Sequence, residues 1–168
     1  MKKFAMTPAD LQYLRRAINQ SGAARSDGKH PFAAIVVAAD GGVLAEAGNN
    51  SLPPEGDPTQ HAELRAARLA YRSGTAAQLA GATLYTSAEP CAMCSGAIYW
   101  CGIGRVVYAL SEESLLRLTG DHPENPTFSL PCREVFARGQ RKVEVLGPAL
   151  EEEASVAHHG FWQRDTAA

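Results

Sequence analysis

The sequence predicts a single α/β domain in which helices cover a layered sheet. Short apolar runs bounded by turn residues alternate with longer segments whose apolar residues recur at helical spacing, as in strands joined by crossover helices. The length of 168 residues suits one domain. Hydrophobic residues make up 45% of the chain and charged residues 20%. This composition is close to the globular average and excludes wholesale disorder and fibrous classes.

The charge balance is nearly even, with 16 Lys and Arg against 18 Asp and Glu and a net charge of −2. Binding to phosphates depends on clustered basic charge, so this balance argues against a protein that coats nucleic acid. No apolar run approaches the roughly 18–20 residues that span a bilayer. Lysines follow Met1 as in a signal peptide, but Thr7–Asp10 stands where an apolar core would be. We therefore expect a soluble cytoplasmic domain without a membrane partner.

The first helix has a clear start. Thr7 can cap it, Pro8 suits the first helical position, and Asp10 favours the first turn. Leucine and isoleucine at positions 11, 14 and 18 then recur at spacings of three and four. This pattern predicts an amphipathic helix that ends near Gly22.

Later elements are predicted from apolar runs, turn residues and helical composition. In chain order they are strands 32–37 and 43–47, loop 49–58, helix 61–74, strand 82–86, helix 92–100, strand 105–110, strand 142–146 and helix 151–161. The first two strands are predicted to form a hairpin around Asp40-Gly41-Gly42. Segment 111–131 is rich in turn residues and predicts a long loop, of a kind that is often functional.

Two short motifs place potential metal ligands at the starts of helices. His61 begins one predicted helix, and Cys91 and Cys94 begin another directly after a proline. Cysteines at positions i and i+3 lie on one helix face, so both can reach a single ion. One imidazole and two thiolates leave zinc without a fourth protein ligand, and that position is open to water or hydroxide. The positive ends of helix dipoles also favour thiolates.

Glu63 stands two residues beyond the histidine and would lie beside the ion without binding it. A carboxylate in that position can take a proton from water and pass it to a leaving nitrogen. The combination predicts an open zinc site in which His61, Cys91 and Cys94 bind the metal and Glu63 is the catalytic residue.

Other interpretations of these residues stay open at this point. A C-x-x-C pair can be a redox pair or half of a structural zinc site. Cys101 lies seven residues after Cys94 on the same helical face. As a fourth ligand it would make zinc a structural staple of a non-catalytic domain. The Glu63 carboxylate argues against this closed site, which has no use for it.

The two motifs resemble those of a known family. His61-Ala62-Glu63 and Pro90-Cys91-Ala92-Met93-Cys94 match the signature of zinc-dependent nucleobase deaminases, and the chain resembles the cytidine deaminase superfamily. Within it, segments 31–37, 48–50, 57–63 and 84–100 resemble the guanine deaminase and nucleoside deaminase branch. The resemblance covers about residues 5–110. In the single domain 1–168, residues 111–168 therefore form a divergent region that is expected to help close the pocket.

The resemblance implies an α/β/α sandwich with a mixed five-stranded sheet. It also implies one zinc ion per subunit, with water or hydroxide as fourth ligand, and hydrolytic deamination with loss of ammonia. The resemblance also implies four positions that bind the base. Asn49 would hydrogen-bond the base through its amide, and Ala62 stands next to the metal ligand His61. Phe32 and Trp100 would be aromatic walls of the pocket. The ordinary alternatives are a loop role for the amide and core packing for the aromatic rings.

The substrate that the resemblance favours is a free purine base, guanine, which would yield xanthine. The alternatives are cytosine, guanosine, cytidine, a triazine or a tRNA adenosine. The acidic run Glu151–Glu153 and the negative net charge argue against a nucleic-acid partner. Relatives assemble through the cysteine-bearing helix. Residues 98–100 are apolar on successive faces of that helix, which supports a homodimer.

Phe161 and Trp162 stand close to the end of the sequence, where polar residues are usual. Each needs a surface to bury against, worth roughly 1.5–3 kcal/mol if burial is complete. They can pin the last helix to the sheet. They can also form a lid over the zinc pocket of the same or a neighbouring subunit, which the resemblance favours.

Overall fold

The computed structural model describes residues 6–163, which form seven α-helices and five β-strands. The helices are α1 (Pro8–Ser26), α2 (Ala62–Ser73), α3 (Ala76–Ala80), α4 (Ala92–Trp100), α5 (Glu112–Thr119), α6 (Cys132–Ala137) and α7 (Glu151–Ser155). The strands are β1 (Ala33–Val37), β2 (Val43–Gly48), β3 (Thr83–Ala88), β4 (Arg105–Leu110) and β5 (Glu144–Leu146). A 3₁₀ turn, Val156–His158, follows α7. Within residues 6–163, none of the helices combines the length and apolarity that crossing a membrane requires.

The strands form one mixed sheet in the order β2-β1-β3-β4-β5. The strand β1, second from one edge, is antiparallel to both neighbours, so that Ala34 pairs with Ala47 of β2 and with Thr86 of β3. The strands β3, β4 and β5 run parallel. The mixed five-stranded sheet and the β1–β2 hairpin are thereby confirmed.

Helices cover both faces of this sheet. Every residue of β1 and β3 is buried, as expected for central strands of a layered α/β fold. The helix α1 packs on β1, β3 and β4, whereas α2 packs on β1 and β2 and also contacts α4. This packing brings the starts of α2 and α4 together.

The start of α1 is the capped end that the sequence predicts. Thr7 accepts a hydrogen bond from the Asp10 backbone N–H, and the Asp10 carboxylate accepts one from the Thr7 N–H. Arg105 and the Tyr85 hydroxyl both donate to the same carboxylate. Burial alone would raise the pKa of Asp10, but the bonds from Arg105, Thr7 and Tyr85 hold that pKa well below its usual range. The Asp10 carboxylate thereby joins α1 to β3 through Tyr85 and to β4 through Arg105.

The predicted end of α1 near Gly22 is wrong, because the helix continues to Ser26. A glycine inside a helix costs only about 1 kcal/mol, which packing of the helix on the sheet offsets. The chain leaves the helix just before Gly28, whose φ of 76° favours glycine.

The prediction that 111–131 is one long loop is wrong in its first half, where α5 lies. Ser111 caps this helix by accepting a hydrogen bond from the Ser114 N–H, and two glutamates occupy its first turn. These are ordinary helix-start signals. The three prolines and the glycine later in the segment indicated a loop, and the prediction extended that loop over the helix as well. Residues 120–131 are irregular, as expected.

Three further differences concern short elements. The helices α3 and α6, five and six residues long, were not predicted from the sequence. The last helix ends at Ser155 and continues only as a 3₁₀ turn, so the predicted helix 151–161 is too long. The strand β5 begins at Glu144 rather than at Lys142. Such short elements are fixed by contacts with the rest of the fold more than by their own periodicity.

Candidate metal centre and active site

The predicted metal ligands lie at the starts of the two packed helices. His61 is the N-cap residue of α2 and Cys91 that of α4, and neither side chain caps its own helix. Cys94 is completely buried in the first turn of α4. The strand β3 leads into α4, so the two cysteines sit at the carboxyl edge of a central strand.

The ligand atoms of His61, Cys91 and Cys94 all lie within 4.8 Å of one another. The Sγ of Cys91 is 3.6 Å from the Nδ1 of His61. Zinc–sulfur and zinc–nitrogen bonds in a tetrahedral site place these two atoms roughly 3.6 Å apart. One imidazole and two thiols therefore fit zinc in chemistry and in spacing.

The electrostatics of the group favour a cation. A hydrogen bond from Cys94 and, against the effect of burial, a second one from His61 lower the pKa of Cys91 to about 4. The same contact with Cys91, together with burial, raises the pKa of Cys94. The bond to Cys91 raises the pKa of His61. These contacts favour the thiolate form of Cys91, which is the form that binds a metal ion.

Glu63 lies beside this group and is 4% exposed. Its Oε1 accepts a hydrogen bond of 2.9 Å from the Thr86 hydroxyl on β3, and its Oε2 accepts one of 3.5 Å from the Cys94 thiol. Burial raises the pKa of Glu63. The carboxylate is thus held in place next to the metal ligands without being one of them.

Cys101 cannot serve as the fourth ligand of a closed site. It is the C-cap residue of α4, at the opposite end from Cys91. At a rise of 1.5 Å per residue, the ten residue steps from Cys91 to Cys101 span about 15 Å. Among residues 6–163, the group of ligand atoms close enough for one ion consists of His61, Cys91 and Cys94. The staple with Cys101 as its fourth ligand is therefore not formed.

A cavity of about 590 Å³ opens beside the metal group. His61, Glu63 and Cys91 line it on one side. Its other lining comes from the chain before β1, from the loop after β2 and from the segment after β4. The principal residues of these three sets are His30, Phe32, Asn49, Ser51, Glu112, Leu115, Glu124 and Phe128. The volume is typical of a small-molecule site.

The structure brings two of the four expected base-binding residues to this cavity. Asn49 and Phe32 line it, whereas Ala62 is completely buried in the first turn of α2 and does not. Trp100 lies outside the cavity of the single chain and is 82% exposed at the end of α4. The buried residue on that turn is Ile98, so Trp100 is on a face that points away from the core.

Two glutamates of the cavity were missed in the sequence. Burial, followed by the negative charges of Cys91, Glu89 and Glu63, raises the pKa of Glu112 to about 7. Glu89 accepts hydrogen bonds from the backbone N–H of Glu112 and of Cys132. Its carboxylate thereby holds the starts of α5 and α6. The only sequence signal for Glu89 is its position directly before the Pro-Cys motif.

Phe161 and Trp162 are both buried, and Trp162 packs against side chains that line the cavity. The Trp162 ring centroid is 5.0 Å from that of His30 and 6.1 Å from that of Phe32, and both partners line the cavity. Phe161 and Trp162 are not part of the lining themselves. In this position the two aromatic side chains support the cavity wall, and their role as a lid stays a prediction.

Comparisons with known proteins point to the same chemistry. The family model "Cytidine and deoxycytidylate deaminase zinc-binding region" matches residues 7–110. A probable cytosine deaminase of Schizosaccharomyces pombe is 45% identical over 162 residues, which cover 96% of this chain and 98% of the relative. A guanine deaminase of Bacillus subtilis is 49% identical over 79 residues, 47% of this chain and 49% of the relative.

Among solved structures, that of a protein in complex with 2,6-diaminopurine has a TM-score of 0.74 at 25% identity and covers 98% of this chain and 87% of the other. The family match spans more than half of the chain and includes the metal group and Glu63. The chain therefore belongs to the cytidine and deoxycytidylate deaminase family of zinc-dependent enzymes.

Proposed function

We propose that the chain deaminates guanine, giving xanthine and ammonia. The observation that carries the proposal is the buried Glu63 carboxylate, which lies beside three metal-binding side chains without being a ligand and borders a cavity of suitable size. A group in that position is available for proton transfer at the place where the base would bind.

His61, Cys91 and Cys94 would hold one zinc ion, which would lower the pKa of a water and so supply a nucleophile at neutral pH. Glu63 is placed to accept a proton from the attacking water and to donate it to the exocyclic nitrogen, which would leave as ammonia while the water oxygen takes its place on the ring carbon. Thr86 restrains Oε1 of Glu63, so that Oε2, on the side of Cys94, is the atom placed for the transfer.

The cavity favours a small uncharged base over a nucleic acid. Four carboxyl groups contribute to its lining: Glu63, Glu89, Glu112 and Glu124. A phosphate group would be repelled by the carboxyl groups that are ionised in this partly desolvated site. Phe32 and Phe128 add apolar and aromatic surface for a flat ring. The partner that fits is therefore a small molecule.

Guanine and cytosine each carry an exocyclic amine on a ring carbon, and a cavity of about 590 Å³ admits both. Guanine is favoured by the guanine deaminase whose matched segment is 49% identical and by the purine bound in the similar structure. Cytosine is the second candidate, because the relative that matches almost end to end is a probable cytosine deaminase.

The test is an ammonia-release assay on the zinc-loaded protein with guanine, cytosine, adenine, guanosine, cytidine and ammeline, and with a tRNA anticodon stem-loop. We expect the highest kcat/KM with guanine. A higher value with cytosine would replace guanine by the second candidate. Turnover of the stem-loop alone would overturn the assignment to a free base. The Glu63→Gln variant is the control for contaminating deaminases.

We also propose that the enzyme is a homodimer that buries the exposed face of α4. Trp100 is 82% exposed and Met93 37% exposed on this helix, more apolar surface than an isolated helix end usually leaves in water. Sedimentation equilibrium at micromolar concentration should give twice the mass of 17.9 kDa. A single species of the monomer mass would contradict the proposal.

A further inference from the structure

A line of four polar side chains runs along the cavity, separate from the metal group. Glu124 Oε2 lies 2.9 Å from His30 Nε2, and His30 Nδ1 lies 3.2 Å from Ser51 Oγ. Ser51 Oγ is in turn 2.7 Å from Asn49 Oδ1. All four residues line the cavity. We call this line the relay; its members come from the chain before β1, from the loop after β2 and from segment 120–131.

The hydrogen bonds of the relay can be assigned a direction. The backbone N–H of Ser51 donates to Asn49 Oδ1 at 2.9 Å, which identifies that atom as the oxygen of the amide. The hydroxyl of Ser51 donates to the same oxygen. Because a hydroxyl has one proton, Ser51 Oγ must accept from His30, and Nδ1 of His30 therefore carries a proton. The remaining proton lies between Nε2 of His30 and the carboxylate of Glu124.

This direction decides what the cavity offers a ligand. Both bonds from Ser51 occupy the oxygen of Asn49, and within residues 6–163 its Nδ2 has no protein partner. The amide therefore presents N–H donors, and a ligand must place a carbonyl oxygen or an unprotonated ring nitrogen against it. At the other end, Glu124 supplies a carboxyl group whose side chain is 47% exposed. A ligand with a ring N–H can bind there.

His30 is the member that connects the two ends. Its side chain is only 4% exposed, and the rings of Trp162 and Phe161 pack against it with centroids 5.0 and 5.9 Å away. These contacts fix the ring plane. Burial, partly opposed by Glu124, lowers the pKa of His30. No sequence motif indicated a function for this histidine, which stands directly before Pro31 where the chain turns.

We propose that His30 is a positioning residue for substrate selection, which orients the Asn49 amide through Ser51 and holds Glu124 and segment 120–131 at the cavity. The ligand class is a heterocyclic base that presents an acceptor to Asn49 and a ring N–H to Glu124. The inference rests on the proposed nucleobase deamination and adds to it a second recognition element besides the metal group.

The test compares His30→Phe, which keeps an aromatic ring against Trp162 but removes both hydrogen bonds, with His30→Gln, which can restore one of them. We expect His30→Phe to raise KM for the preferred base by about tenfold or more, the usual effect of one lost or misdirected hydrogen bond. The change in kcat should be smaller, because the metal group and Glu63 are untouched. His30→Gln should recover part of the affinity.

Two controls separate positioning from packing. His158 is as buried as His30 and its Nδ1 accepts a hydrogen bond from the same Trp162, but it contacts neither Ser51 nor Glu124. His158→Phe should lower Tm and leave KM unchanged. Ser51→Ala should reproduce the effect of His30→Phe, and the double variant should be no worse than either single one, because both break the same relay.

An unchanged KM in His30→Phe, an equal rise in His158→Phe, or additive effects of His30→Phe and Ser51→Ala would overturn the proposal. Wild-type turnover of a base is measured first, so failure of the proposed function is seen independently. Calorimetric binding of guanine and cytosine to the zinc-loaded Glu63→Gln variant, with and without His30→Phe, tests the relay without turnover.

Discussion

The two walls of the cavity are built in different ways. The metal wall consists of residues 61–63 and 91–94, which occupy the first turns of α2 and α4 beside the central strands. The closing wall consists of residues 111–131 and reaches the cavity from beyond β4. It is held there by single side chains, Glu89 at the start of α5 and His30 at Glu124.

Because of this difference, we expect the metal wall to determine the rate of the reaction and the closing wall to determine which base is bound. The metal wall contains the metal-binding group and the proposed proton-transfer residue, so a change there should lower kcat for every substrate. The closing wall lines the cavity without contributing to the metal-binding group. A change there should alter KM and the preference among bases while zinc binding is kept. Each of the following predictions tests that division.

The largest effect is expected from loss of a metal ligand. Cys91→Ser removes one of three protein donors, and both bound zinc and turnover should fall below detection. Cys101→Ser is the matched control, because its thiol lies about 15 Å away along α4. Zinc content by mass spectrometry and ammonia release check both variants. Zinc loss in Cys101→Ser would restore the structural-site interpretation.

Next in size is Glu63→Gln, which keeps the shape of the side chain but removes its ability to accept a proton. General acid–base catalysis contributes about 10²–10⁴-fold, and kcat should fall by that factor with zinc content and Tm close to wild type. Glu113→Gln, a change at an exposed carboxylate of α5, is the control. Near-normal turnover in zinc-loaded Glu63→Gln would place the proton transfer elsewhere.

The sequence predicted the metal wall almost completely because its residues are local. His61 and Glu63 are two positions apart, Cys91 and Cys94 are three, and the helix starts on which they stand carry their own signals. The two pieces must still meet, and here the resemblance to a known family supplied what spacing alone could not. The helices α2 and α4 occupy the predicted positions within one or two residues.

The closing wall could not be predicted in the same way. Glu89 and Cys132 are 43 residues apart, and His30 and Glu124 are 94 apart. No periodicity connects residues over such distances. Trp100 is a different case: an aromatic residue inside a family motif was expected at the pocket, and in the single chain it is 82% exposed at the end of α4, so its role at the pocket stays a prediction. Side-chain direction on a short helix depends on which face the sheet covers.

Trp162 supports the cavity wall through its contacts with His30 and Phe32. Trp162 is 5% exposed and packs on His30 and Phe32, so Trp162→Ala should lower the free energy of unfolding by about 3–5 kcal/mol. Urea denaturation measures this loss. Tyr71→Ala, which truncates an aromatic side chain that is 61% exposed, should cost far less.

The same variant decides between the two roles of the tail. A supporting residue predicts a lower Tm with kcat retained below the melting transition. A lid predicts an unchanged Tm with a collapse of kcat/KM, since water would enter the site. Truncation after Glu153 should give the result of Trp162→Ala in stronger form. If neither Tm nor kinetics changes, both interpretations of the tail are wrong.

The smallest effect, and the sharpest test of the division between the walls, is expected from Glu89→Gln. The carboxylate of Glu89 accepts the N–H of Glu112 at 3.1 Å and that of Cys132 at 3.0 Å. An amide has one oxygen and one NH₂ group, so one of these N–H groups would face a donor. The free energy of unfolding should fall by about 1–3 kcal/mol.

Because the start of α5 carries Glu112 into the cavity, the Glu89→Gln change should also raise KM and alter the preference among bases. Zinc content and kcat should stay close to wild type, although Glu89 is only two residues from Cys91. Glu134→Gln, at an exposed carboxylate of α6, should alter none of these quantities. A Glu89→Gln variant that lost zinc or kcat while keeping KM would show that the two walls are one unit, and that selection cannot be changed without changing rate.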